Sequence, residues 1–249
     1  MIVDIHCHLT DPMLLNDVEG IVSRAKKKGL VIINSNGLDI KTNRETLKLA
    51  EKFDIVKPSL GIHPLSIENL TDDQIKNELD FIKSKRDFIF AIGECGLDYS
   101  RNIDRGKQIS LFKKFIELGE KIKKPLIIHS RQAEKEVLEL LETSKSKKFL
   151  LHCFTGNFKL VKKIFDNGYF ISIPCNIVRA KHFQDIVKNF NLNQMLTETD
   201  SPYLSPYKEK MNEPSFIVET IKKMSEIKNI NKNEIEKTIF DNYNKFFLK

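Results

Sequence analysis

Eight short apolar runs recur along this sequence: Ile2–His6, Leu30–Ser35, Val56–Ile62, Phe88–Glu94, Leu126–His129, Phe149–His152, Tyr169–Ile173 and Met195–Asp200. Between them lie longer segments with apolar residues at helical spacing, as in Asp17–Lys28, Thr71–Lys85, Gly106–Lys123 and Gln132–Lys145. A parallel strand covered on both faces reads as a continuous apolar run, and reaching the next parallel strand takes a crossover helix. Eight repeats of that unit predict an α/β fold of the closed (β/α)8, or TIM barrel, type.

The punctuation agrees. Thr71-Asp72-Asp73-Gln74 has the capping-box pattern, and Gly29 and Gly168 follow helical runs where a left-handed stop is expected. Asn229–Asn233 reads as a loop between the last two helices, and no low-complexity linker or composition shift interrupts the chain. The expectation is one barrel domain over residues 1–249, a size at which barrels commonly form a single domain.

Composition narrows the setting. No stretch approaches the roughly 20 apolar residues needed to span a bilayer, and Met1 leads into Ile2-Val3-Asp4-Ile5 without a basic segment or cleavage site. Cys7, Cys95, Cys153 and Cys175 are far apart and form no CxxC pair, which argues against a zinc ribbon or a disulfide scaffold. A cytoplasmic protein without membrane association is expected. The formal charge of +7 suits an acidic partner such as nucleic acid, although runs such as Lys26-Lys27-Lys28 also read as solvated helix faces.

The candidate chemistry lies where strands end. Five of the six histidines fall at the C-terminal ends of predicted strands, the rim on which barrel enzymes carry their sites. His6 and His8 are two apart in an extended segment and project from one face; Asp4 lies on that face and Cys7 on the other. Glu94 ends an apolar run in which a buried carboxylate needs a cation or a donor, His129 and His152 end two successive strands, and Asp200 closes the eighth. Four imidazoles and two carboxylates form a mixed nitrogen and oxygen ligand set suited to Zn²⁺, Mn²⁺, Co²⁺ or, more weakly, Mg²⁺. Six ligands point to two divalent ions: His6, His8 and Asp200 on one, His129 and His152 on the other, with Glu94 bridging cations about 3.5 to 4 Å apart. Each residue alone could be an ordinary hydrogen-bonded group, but six such groups at one end of a barrel would each need a separate partner.

The ordered strings DIHCHLTDP, GIHP, GECGLDY, PLIIHSR, LHCFTG and ETDSPYL, followed by Asn212-Glu213-Pro214, resemble the motifs of the TatD-like metal-dependent deoxyribonucleases. The resemblance implies an amidohydrolase-type barrel with two divalent metals and hydrolysis of phosphodiester bonds in DNA, often as a 3′ to 5′ exonuclease. It matches the six ligands and assigns His63 and Arg131 to substrate phosphate contact. Lys208-Glu209-Lys210-Met211 lacks the glycine and arginine many relatives carry there, which bears on substrate preference.

The expected mechanism is attack by a metal-activated water, with Asp200 and Glu94 as the catalytic carboxylates and Asp200 either taking the water's proton or ligating only. Of seven arginines, Arg101, Arg105, Arg131 and Arg179 fall in or near predicted βα loops, where each either meets a polyanion or forms a loop salt bridge. Tyr99, Phe154 and Tyr203 lie just past strand ends, placed either to stack on a base or to pack beneath a loop. Glu198 is placed to orient a histidine or to pair with a lysine. Two other functions are open: an amidohydrolase acting on an ester or amide such as D-aminoacyl-tRNA, and a non-catalytic nucleic-acid-binding barrel. Amidohydrolases often bridge their metals with a modified lysine, whereas strand 4 here offers Glu94.

Overall fold

A computed structural model describes residues 1–248. Its first half comprises β1 (Ile2–Cys7), α1 (Pro12–Leu15), α2 (Val18–Lys27), β2 (Leu30–Asn36), α3 (Ile40–Lys52), β3 (Val56–Leu60), α4 (Asp72–Ser84), β4 (Ala91–Asp98) and α5 (Arg105–Ile122). There follow β5 (Leu126–Arg131), α6 (Glu134–Glu142), β6 (Phe149–Leu151), α7 (Phe158–Asp166), β7 (Phe170–Pro174), α8 (Lys181–Asn189), β8 (Met195–Glu198), α9 (Ile217–Lys228) and α10 (Lys232–Tyr243). The strands follow chain order in one sheet, β1 to β8, with helices between them, which is the (β/α)8 barrel that the eight apolar runs predict.

The chain forms two compact units. One comprises Met1–Ser35, Leu49–Lys57 and the chain from Ile171 onward. In it β1 pairs with β2 and β7 with β8, both in parallel, and the Thr197 hydroxyl donates to Val3 O across from β8 to β1. Every residue of β1 is buried, as a strand covered on both faces requires. Helix α10 packs on β1 and β8.

The other unit comprises Asn36–Lys48 and Pro58–Phe170. Here β3, β4, β5 and β6 pair in parallel. Phe112, Phe115, Phe149 and Tyr169 are fully buried, with Phe149 and Tyr169 in edge contact at 5.2 Å. Thr71 and Gln74 form the capping box that starts α4.

Some boundaries differ from expectation. Phe88 lies outside β4 and is exposed, because its N–H and that of Ile89 bond to Lys85 O and prolong the end of α4. At its other end β4 runs past Glu94 to Asp98, pairing Gly96 with His129 and Asp98 with Arg131. Strand β3 stops at Leu60, two residues earlier than expected. Helix α6 ends at Glu142, where Glu120 captures the Ser144 hydroxyl and Lys145 N–H. Lys232 and Asn233 belong to the first turn of α10, capped by Asn231, so the loop before it is shorter than Asn229–Asn233. Gly29 (φ 85°) and Gly168 (φ 75°) are left-handed, as expected of helix stops.

Candidate metal centre

In the first unit, β1 delivers His6, the residue just past its end is His8, and the turn after β8 delivers Asp200. The two imidazole Nε2 atoms lie 3.1 Å apart, and Asp200 Oδ1 lies 3.5 Å from that of His6 and 3.3 Å from that of His8. Ligand atoms on one ion are roughly 3.0 to 3.5 Å apart, because metal bonds to nitrogen and oxygen are about 2.0 to 2.2 Å long. This triangle therefore has the dimensions of a coordination face.

Backbone bonds fix the triangle. Asp200 N–H donates to His6 O at 2.9 Å and His8 N–H to Ser201 O at 2.8 Å. Asp200 sits at φ 55°, a region that costs a non-glycine residue energy and needs support. Part of that support is Asn212, which is fully buried and donates its amide to Thr199 O and Tyr203 O, both at 2.7 Å. Asp4 is fully buried and accepts from Thr199 N–H and hydroxyl at 2.9 and 2.6 Å; burial pushes its carboxyl up to about 8, against the pull of those bonds. Glu198 is buried and accepts from the Ser172 hydroxyl at 2.6 Å.

The second unit holds another such triangle. His129 Nδ1 lies 2.8 Å and His152 Nε2 3.0 Å from Glu94 Oε1, and the two nitrogens are 3.2 Å apart. Glu94 is buried, as a strand-borne ligand would be. The other nitrogen of His129 lies 3.0 Å from Asp98 Oδ2. Burial opposes ionisation of Asp98, but hydrogen bonds from His129 and Ser100 outweigh it and hold the carboxyl below the usual range. Sequence reasoning missed Asp98, because it lies beyond the expected end of β4.

His63 lies past the end of β3 and caps the short turn Pro64–Asn69, its Nδ1 accepting from Leu65 N–H at 3.2 Å. Its Nε2 is 3.6 Å from Glu94 Oε1. Arg131 ends β5 with an exposed side chain. Tyr99 is half-buried and its hydroxyl donates to Glu136; Phe154 is fully buried, which is the packing role; Tyr203 is exposed and donates to Asp11 Oδ2. The Cys7 thiol donates to Asn34 O at 3.5 Å, and burial pushes it well up.

Imidazoles and carboxylates gathered into coordination triangles at the strand ends of a (β/α)8 barrel define a metal-dependent hydrolase. Residues 3–248 match the family described as TatD related DNase, and the chain belongs to that family. It is 33% identical to an uncharacterized metal-dependent hydrolase of Methanocaldococcus jannaschii, over 99% of this chain and 97% of that protein. It is 30% identical to the human deoxyribonuclease TATDN3, over 100% of this chain and 95% of that protein. A crystal structure of a TatD homologue from Escherichia coli shares the fold, with a TM-score of 0.92 at 24% identity, over 100% of this chain and 98% of that one.

Proposed function

We propose that this chain is a single-domain deoxyribonuclease that releases nucleotides from the 3′ end of DNA, using two divalent ions, Mg²⁺, Mn²⁺ or Zn²⁺. The observation that carries this reading is the pair of ligand triangles: His6, His8 and Asp200 would hold one ion, and Glu94, His129 and His152 the other. Divalent cations supply Lewis acidity toward water and toward a phosphoryl oxygen. The family match over residues 3–248 and the deoxyribonuclease name of the human relative support a phosphodiester substrate. Four free cysteines, three of them buried, suit a reducing compartment such as the cytoplasm, and among the described residues no helix is long and apolar enough to cross a membrane.

Asp200 is the least buried of the first three ligands and takes the proton of the attacking water. Glu94 holds His129 and His152 to one point. Because His63 Nδ1 accepts from Leu65 N–H, the ring proton sits on Nε2, and His63 acts as a donor to a substrate phosphate rather than as a ligand. The exposed Arg131 guanidinium offsets charge that develops on the phosphoryl oxygens.

The test is incubation with end-labelled single-stranded and duplex DNA and each metal in turn. Stepwise release of nucleotides from the 3′ end is expected; no release with any metal sinks the nuclease reading. Glu94→Ala should abolish turnover, and retained activity would remove Glu94 from the site.

A further inference from the structure

The seven arginines fall into two groups. Arg24 is held by Asp17 and Glu213, Arg44 by Glu78 and Arg86 by Asp87. Among the described residues, the side chains of Arg101, Arg105, Arg131 and Arg179 have no ion pair or hydrogen bond. Asp98 and Asp104, beside them in sequence, and Glu136, which meets Tyr99, are committed elsewhere. Asp98 takes His129 and Ser100, Asp104 caps α5 through Lys107 N–H at 3.0 Å, and Glu136 takes the Tyr99 hydroxyl at 2.7 Å.

One of these arginines is nevertheless positioned. The Arg105 guanidinium lies 4.4 Å from the centre of the Tyr99 ring, and that ring is fixed by its bond to Glu136. A guanidinium stacked on an aromatic face keeps its N–H edge free for an acceptor in its plane, the geometry that suits a phosphate. Residues Tyr99 to Arg105 line a cavity of about 400 Å³. Tyr99 N–H donates to Arg131 O at 2.9 Å, which ties this loop to the strand end that carries Arg131.

The geometry points to a phosphate-binding subsite at the loop between β4 and α5, in which Arg101 and Arg105 hold backbone phosphates of single-stranded DNA adjacent to the one contacted by Arg131. The proposal rests on the nuclease reading for its substrate. Neighbouring unpaired guanidiniums repel one another, and a polyanion relieves all of them at once. Arg131 serves the phosphate under attack; Arg101 and Arg105 serve the strand that follows it. Tyr99 is a positioning residue here, not a platform for a base.

The test is fluorescence anisotropy with a labelled twelve-nucleotide thymidine strand in chelator, so that binding is read without cleavage, repeated over a range of salt. Arg101→Ala with Arg105→Ala should weaken binding about tenfold and lower the slope of log K against log salt by about 0.7 per arginine. Arg101→Glu with Arg105→Glu should weaken it further. In competition with the labelled strand, the alanine pair should lose at least several times more affinity for the full strand than for a thymidine dinucleotide, because the dinucleotide is too short to reach the subsite. Unchanged affinity and slope in both double variants would overturn the subsite, as would an equal loss for strand and dinucleotide. The two readings fail separately: a wild type that binds the strand through these arginines and cleaves no DNA removes the nuclease, and a nuclease indifferent to both double variants removes the subsite.

Discussion

Asp98 Oδ2 lies 3.0 Å from Nε2 of His129, and this contact turns the other ring nitrogen toward Glu94. A carboxylate behind a ligating imidazole fixes its tautomer and its aim, and losing it commonly costs 10 to 100-fold, roughly, in metal affinity. Asp98→Ala should weaken by about that factor the ion proposed at Glu94, His129 and His152 and leave the one proposed at His6, His8 and Asp200, as read by titration calorimetry with Zn²⁺ or Mn²⁺. Two unchanged sites would separate Asp98 from metal binding.

Metal removal should be visible in stability. An ion present at about 100 times its dissociation constant adds about 2.7 kcal/mol, which in a chain of this size moves the melting temperature by roughly 5 to 10 °C. Scanning calorimetry should show that loss on adding chelator and its recovery with Mn²⁺ or Zn²⁺. Identical melting in both conditions would contradict a preformed metal centre.

Asn212→Ala removes the donor that Thr199 O and Tyr203 O share. Leaving buried carbonyls unpaired costs about 1 to 3 kcal/mol. The loop so released carries Asp200 in its left-handed conformation, so turnover should fall together with stability. Urea unfolding and kcat, measured on the same protein, check this; a loss of stability with kcat intact would confine Asn212 to a structural part.

Two glycine substitutions should behave differently. A Cβ on Gly61 would collide with Glu94 O and lie 2.7 Å from Gly93 C, backbone atoms that cannot swing aside. Gly61→Ala should displace Glu94, with about tenfold or greater loss of activity and about 1 to 3 kcal/mol of stability. Gly168 is left-handed (φ 75°) with nothing within 4 Å, so Gly168→Ala should cost about 1 to 2 kcal/mol of strain and leave activity as it is. Equal activities in the two variants would contradict the close approach at Gly61.

The residues of the two triangles were largely legible because they break a pattern. His6, His8, Glu94, His129, His152 and Asp200 each stand at or just past the end of an apolar run, and a polar group in such a place needs a partner. The start of β4 was not legible, because Phe88 and Ile89 read as strand residues until the end of α4 claims their N–H groups. Its end was hidden too. Gly96-Leu97-Asp98 looks like a turn in isolation and becomes strand only when β5 lies alongside to pair with it.

The sequence by itself pointed to the barrel, since eight apolar runs with helices between them fit a parallel sheet covered on both faces and closed by its eight repeats. It also singled out the residues that gather into the two triangles. Only the tertiary structure decided how those residues are held: Asp98 behind His129, Asn212 across the turn that bears Asp200, and Arg105 on the face of Tyr99. The periodicity of a strand is a local property that neighbouring residues write into the chain. A hydrogen bond between residues 31 positions apart, as from His129 to Asp98, leaves no mark on either one's local sequence, because its geometry exists only after the strands have paired.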